Sequence, residues 1–180
     1  MKTYALLLIV LFNFMTFSDI NAQGENPWPT KHKNVFVEFL GNGLFISTNF
    51  DMRFKRGVQD GLGFRAGIGG VSLEASDVEG SQVRVGLVTF PLAVNYLVGK
   101  GRSSFETGLG VTVLYASAAV RGGDIDIEAD GVGAIGVINF GYRYQPKNNG
   151  FMFRINYSPI FGGGGFAPGW FGIGLGFGFK

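Results

Sequence analysis

Cysteine is absent from the 180-residue chain, and histidine occurs once, as His32. The missing sulfur excludes a disulfide framework, thiolate metal sites and an N-terminal lipoprotein anchor. Charge is sparse and balanced, 15 basic side chains against 13 acidic ones, for a formal net charge of +2. Nucleic-acid binding needs a basic face or run, and this distribution has neither. Beyond Phe17 no stretch approaches the ~20 apolar residues that a membrane helix requires.

What the chain has instead is 31 glycines together with 19 phenylalanines. Glycine alone at this level suggests disorder, but disordered chains are poor in aromatics, and these must be buried somewhere. The length fits one domain. At the N-terminus, Lys2 precedes an apolar run from Ala5 to Phe17, broken only by Asn13 and Thr16, and Asn21-Ala22 ends in a small residue. Residues 1–22 read as a secretory signal peptide cleaved after Ala22. A retained membrane helix is the alternative, and the run is short for one. Residues 23–33, with Pro27, Trp28 and Pro29, read as an irregular periplasmic lead-in, and residues 34–180 as the folded domain.

The closing stretch fixes the fold class. Phe171, Ile173, Leu175, Phe177 and Phe179 alternate strictly with Gly172, Gly174, Gly176 and Gly178. A strand with one face aromatic and aliphatic and the other without side chains suits a membrane barrel, large residues toward lipid and glycines toward a crowded interior. Leu44 to Phe54 shows the same period, with Leu44, Ile46, Thr48, Phe50, Met52 and Phe54 against Phe45, Ser47, Asn49, Asp51 and Arg53. Eleven residues at ~3.3 Å each, tilted by ~40°, rise about 27 Å, the height of an outer membrane's apolar band.

Eight such strands follow from the alternation: 34–41, 44–54, 62–71, 84–98, 105–115, 132–144, 151–158 and 170–179. The expected fold is all-β, an eight-stranded antiparallel up-and-down transmembrane β-barrel. Asn42-Gly43 reads as a tight hairpin turn. Pro91 cannot donate to a ladder, and a closed barrel has no edge strand to shelter it, so a bulge is expected there. Short or basic connections at Lys55-Arg56, Gly99 to Arg102 and Pro146 to Gly150 read as periplasmic turns, and the longer acidic ones, Glu74 to Gln82 and Ser117 to Gly131, as outer loops. Glu38, Asp51, Glu106, Arg53, Arg65, Arg143 and Arg154 all fall on inward positions, where opposite charges should meet. A turn centred near Val58 would set Asp51 opposite Arg65, and Glu106 and Arg143 should share a level.

Motifs for chemistry are few. Gly131, Gly133 and Gly136 have Gly-x-Gly-x-x-Gly spacing, but a period-two strand follows in place of the helix that would receive a pyrophosphate. Gly162 to Gly165 lacks the Lys-Ser or Lys-Thr of a phosphate loop and reads as a flexible outer loop. Asp124, Asp126, Glu128 and Asp130 alternate with apolar residues and place four carboxylates on one face, a set of oxygen ligands suited to calcium, or else an acidic solvated extension of the hairpin. His32 lies before the first strand, on the periplasmic side. No catalytic, cofactor-binding or metal residue is assigned.

The ending formed by Gly174, Phe177 and Phe179 resembles the C-terminal signal that outer-membrane assembly machinery recognises, although Gly172 replaces the usual polar residue and Lys180 follows the last aromatic. Across Asn34 to Lys180 the chain resembles the small eight-stranded outer-membrane barrels of the OmpA-like and OmpX-like kind. It is similar more narrowly to single-domain barrels carrying Gly-Tyr-Arg-Tyr-Gln-Pro-Lys, here Gly141 to Lys147. The resemblance implies export to the outer membrane, with the lipid bilayer and the barrel assembly machinery as partners, and no substrate. Barrel enzymes of this size use a histidine with a serine near the outer face, and no such histidine exists here. A non-catalytic barrel that is structural or presents its outer loops is the first expectation. The alternatives are a soluble periplasmic barrel carrying a lipid, with its faces inverted, and a lipid-modifying enzyme.

Overall fold

The computed structural model describes residues 30–76, 82–99, 101–122, 125–163 and 165–180. The expected signal peptide and most of the lead-in lie outside them. From Lys31 onward the chain is strand after strand: β1 (Lys31–Leu40), β2 (Ile46–Arg56), β3 (Gly61–Ser76), β4 (Gln82–Val98), β5 (Ser103–Gly122), β6 (Ile125–Tyr144), β7 (Gly150–Tyr157), the short β8 (Ile160–Gly162) and β9 (Gly165–Ala167), and β10 (Phe171–Phe179). Every pairing is antiparallel, each long strand pairs with its neighbour in sequence, and β10 returns to β1. The ring therefore closes with eight strands, and β8–β9 forms a hairpin attached to β6. Both ends of the ring's chain, Lys31 and Phe179, lie at the end of the short turns, called the lower end here.

The β10 glycines are explained by what stands opposite them. A Cβ on Gly176 would meet the Val35 carbonyl oxygen at 2.1 Å and Phe36 Cβ at 2.4 Å. On Gly174 it would meet Arg154 Cγ at 2.7 Å, and on Gly172 the Gly41 Cα at 2.6 Å. Along β10 the narrow bore makes room for Phe36 and Arg154 by leaving the paired positions without a side chain.

Several features differ from the sequence reading. β1 begins at Lys31, three residues early, because Lys31 pairs with Arg56 and Lys33 with Met52 on β2, with a shift in register between them. The segment at Asn42-Gly43 is not an exposed hairpin turn: Gly41–Gly43 forms one turn of 3-10 helix, buried inside the barrel mouth. Leu40 (φ 58°) and Leu44 (φ 71°) take rare left-handed conformations to send the chain in and out again. As a result β2 starts at Ile46, and Phe45 is outside the strand and 46 % exposed.

Pro91 makes no bulge. Ala66↔Leu92 and Gly69↔Thr89 keep one register, and only the pairs of Gly67 and Ile68 are dropped, while the ladder to β5 runs unbroken through Pro91↔Thr112. The missing donor is thus lost on the β3 side without inserting a residue. Finally, β3 to β6 extend well beyond the bounds read from the sequence, and Gly162 and Gly165 pair across the β8–β9 hairpin instead of belonging to an open loop.

Gly176→Ala should lower the stability of the refolded protein by about 1–3 kcal/mol, the usual cost of overpacking. Gly133, where a Cβ meets nothing within 4 Å, is the control, and Gly133→Ala should change it by less than about 0.5 kcal/mol. Urea midpoints of the two variants in lipid vesicles check this.

Candidate functional site

Strict alternation along the ring sends Glu38, Asp51, Arg53, Arg65, Glu106, Arg143 and Arg154 into the bore, and all seven are fully buried. Four guanidiniums meet three carboxylates. Arg143 lies between two acids, 2.8 Å from Asp51 and 2.8 Å from Glu106. Asp51 also accepts from Arg53 at 2.8 Å, and Glu106 from Arg154 at 3.0 Å and from Arg65. Asn95 donates to Asp51 at 2.6 Å and accepts from Arg53. Arg154 donates to Glu38 at 2.6 Å. Removing charges from water is costly, and this many shared partners is what makes the burial tolerable.

The register is the expected one, with Asp51 opposite Arg65. Side-chain reach then divides the pair: Arg65 turns to Glu106 and keeps Asp51 only at 3.9 Å. Phe36 was not singled out in the sequence, although Val35 and Val37 facing outward imply that it faces in. Its ring lies between two guanidiniums, with its centroid 5.3 Å from Arg65 and 5.2 Å from Arg154.

Both mouths are closed by the chain itself. At the upper mouth the 3-10 turn has Gly41 O accepting from the Trp170 indole at 2.9 Å, Asn42 O from Thr112 at 2.7 Å and Gly43 O from Thr89 at 3.0 Å. Asn42 N–H donates to Glu38 at 3.3 Å, which joins this plug to the ion-pair lattice. At the lower mouth Gln145 is buried and donates to Gln59 O at 3.1 Å, while Gln59 donates to Pro146 O. His32 lines the same lower mouth with Lys147 and Lys180, away from the upper hairpins.

Above the ring, β3 to β6 continue as a four-stranded sheet, and there the polarity changes sides. The paired row Gly70, Val88, Tyr115, Val132 is the last apolar one on the outer face. The next rows on that face are Ser72, Gly86, Ser117, Asp130, then Glu74, Arg84, Ala119, Glu128, then Ser76, Gln82, Arg121, Asp126. Arg84 pairs with Glu74 at 2.7 Å and Arg121 with Glu128 at 2.6 Å and Asp126 at 3.5 Å. The hydrogen bond that Arg121 donates to Glu128 and the charge of Asp126 hold Arg121 above its ordinary range. On the face continuous with the bore the upper rows are aliphatic: Leu73, Val85, Ala118, Ala129, then Ala75, Val83, Val120, Ile127. Leu73 is 65 % exposed and Ile127 59 %.

The acidic segment is therefore half of a hairpin ladder. Asp126 and Glu128 are engaged by Arg121, Asp124 lies outside the described residues, and among those residues no group of three ligands could hold a metal. Gly131, Gly133 and Gly136 all lie on β6, with no helix after them. A lipid carrier with inverted faces does not match this arrangement, since the bore is charged and filled while Phe, Ile and Leu face out.

No protein-family model matches the sequence, and no curated protein matches it. Among solved structures the chain is similar to Ail, the attachment invasion locus protein of Yersinia pestis, in complex with the heparin analogue sucrose octasulfate. The TM-score is 0.50 and the identity 11%, over 83% of this chain and 97% of that one. It is also similar to the N-terminal β-barrel domain of Pseudomonas aeruginosa OprF, with TM-score 0.47 and 15% identity over 84% of this chain and 100% of that one. The likeness to Ail bears out, as a statement of fold, the resemblance to small eight-stranded outer-membrane barrels.

Arg143→Ala and Asp51→Ala should each destabilise by up to about 3–5 kcal/mol, since Arg143→Ala leaves Asp51 with Arg53 as its one close cation and Asp51→Ala leaves the buried Arg53 with no carboxylate. The double variant should lose clearly less than the sum, whereas the Asp51 and Arg65 pair should come much closer to additivity. Unfolding titrations of both cycles in the same lipid provide the comparison.

Proposed function

We propose that the protein is a non-catalytic outer-membrane β-barrel that is exported behind a cleaved signal peptide and presents its projecting sheet to an external ligand or partner. The observation that supports this is the change of sides between the rows of Tyr115 and Ser117. Below it, Phe, Leu, Ile and Val cover the outer wall while charges fill the bore; above it, charges face out. Apolar side chains outward over one band, polar ones outward beyond it, is how a barrel meets lipid and then water. Tyr96, Phe105, Tyr142 and Phe151 project from the lower strand ends, where a girdle of aromatics marks an interface.

Within this reading the lower turns are periplasmic, the projecting sheet is extracellular, and the β10 ending engages the barrel assembly machinery. The bore, filled by side chains and closed at both mouths, carries no solute. Ail was crystallised with a sulfated sugar analogue. A polyanion is not the ligand expected here, because the outer face of the projecting sheet sets Arg84 and Arg121 against Glu74, Asp126, Glu128 and Asp130. The exposed aliphatic face is its more distinctive surface.

The mature protein should resist alkaline extraction from outer membranes and migrate differently on gels before and after boiling. Quantitative recovery in the soluble periplasm would contradict the proposal. Deleting Phe177 to Lys180 should block assembly, since those residues both close the ring and carry the sorting ending.

In planar bilayers the purified protein should give no stable large conductance, because an eight-stranded barrel has room only for its own side chains. A reproducible porin-like channel would mean that the closures at Gly41–Gly43 and Gln59 do not hold.

A further inference from the structure

Cations are unevenly spread around the lower rim. Lys31 and Lys33 occupy outward positions on β1, and Arg56 occupies one on β2. Lys31 stands directly opposite Arg56 across the ladder, and Lys33 lies next to Phe179 with its ammonium 6.0 Å from the ring centroid. Like charges facing each other across strands repel. Among the described residues none of the three forms an ion pair. The outward residues of the neighbouring sector, Leu62, Tyr96, Val98 and Phe105, are all uncharged. One sector of the wall thus concentrates three unneutralised cations directly below the apolar pair Val35↔Phe50.

We propose that this sector, the outer wall at the lower ends of β1 and β2, binds an anionic glycerophospholipid of the facing leaflet. Lys31, Lys33 and Arg56 take the headgroup phosphate, and Val35 and Phe50 lie along the acyl chains. The phosphate relieves the repulsion between Lys31 and Arg56, and long basic side chains at a strand end can reach the headgroup level while their stems stay against apolar neighbours. This inference rests on the reading that the outer wall lies in lipid.

The test uses electron spin resonance of spin-labelled phosphatidylglycerol and phosphatidylcholine around the protein refolded in phosphatidylcholine vesicles. At low salt the wild type should select phosphatidylglycerol by at least about fivefold, the effect of roughly one cation at an anionic headgroup. Lys31→Gln/Lys33→Gln/Arg56→Gln should bring that ratio close to one, and Arg102→Gln/Lys147→Gln, which removes two cations from the turns, should leave it unchanged. Arg56→Gln alone should lower it partway and serves if the triple variant folds poorly. Equal selectivity in wild type and the Arg56 variant, or equal loss in the turn variant, overturns the site while leaving the membrane reading intact. Failure of the wild type to insert at all, seen as absent heat-modifiable migration, overturns both.

Discussion

The bore of an eight-stranded barrel has room for side chains and nothing else, and most of this structure follows from that constraint. Several large inward residues stand beside positions that have no side chain. Phe36 and Arg154 are accommodated by Gly174 and Gly176, and the plug at Gly41 by Gly172. Charges then fill the space, and they are tolerated because they share partners. Glu106 serves three arginines and Asp51 two at hydrogen-bonding distance, so neither of these carboxylates depends on a single cation. Through Glu38 the same lattice reaches the upper plug, which joins closure of the ring, filling of the bore and sealing of the mouth in one network.

The outside of the ring has the opposite composition. A wall of exposed aromatic and aliphatic side chains would be an aggregation hazard in water, and a single row separates it from a polar surface. Because β3 to β6 alternate without a shift in register beyond that row, the greasy face does not end there. It moves to the side continuous with the bore, leaving an antiparallel sheet with one polar and one apolar face. Such a sheet normally buries its apolar side, and here Leu73 and Ile127 stand open. The projecting sheet thus leaves an aliphatic face exposed among the described residues, whereas the ring fills its own bore.

Much of this was legible in the sequence because period two survives from residue to residue. The eight strands, their inward charges and the register of Asp51 with Arg65 could all be read from alternation and one turn position. What could not be read depends on distances across the bore. Nothing local tells Arg65 to prefer Glu106 on a strand two places away in the ring, or sends Gly41–Gly43 inward when Asn-Gly is a standard surface turn. Pro91 misled for a related reason: the rule that proline demands a bulge ignores the option of dropping two pairs on one side only. Phe36 and Leu97, both buried, had a signal in the parity of their neighbours, but an apolar residue on a polar face is easy to overlook.

In the proposed setting the outer wall lies in lipid up to the row of Tyr115 and in water from the row of Ser117. Since the chain has no cysteine, single spin labels can be placed by Leu175→Cys, Val113→Cys and Ser117→Cys in the vesicle-inserted protein. Collision rates with oxygen, which concentrates in lipid, and with a water-soluble nickel chelate then report the surroundings of each position. Collisions should be oxygen-dominated at 175 and 113 and nickel-dominated at 117. Nickel access at 175 equal to that at 117 would contradict that setting.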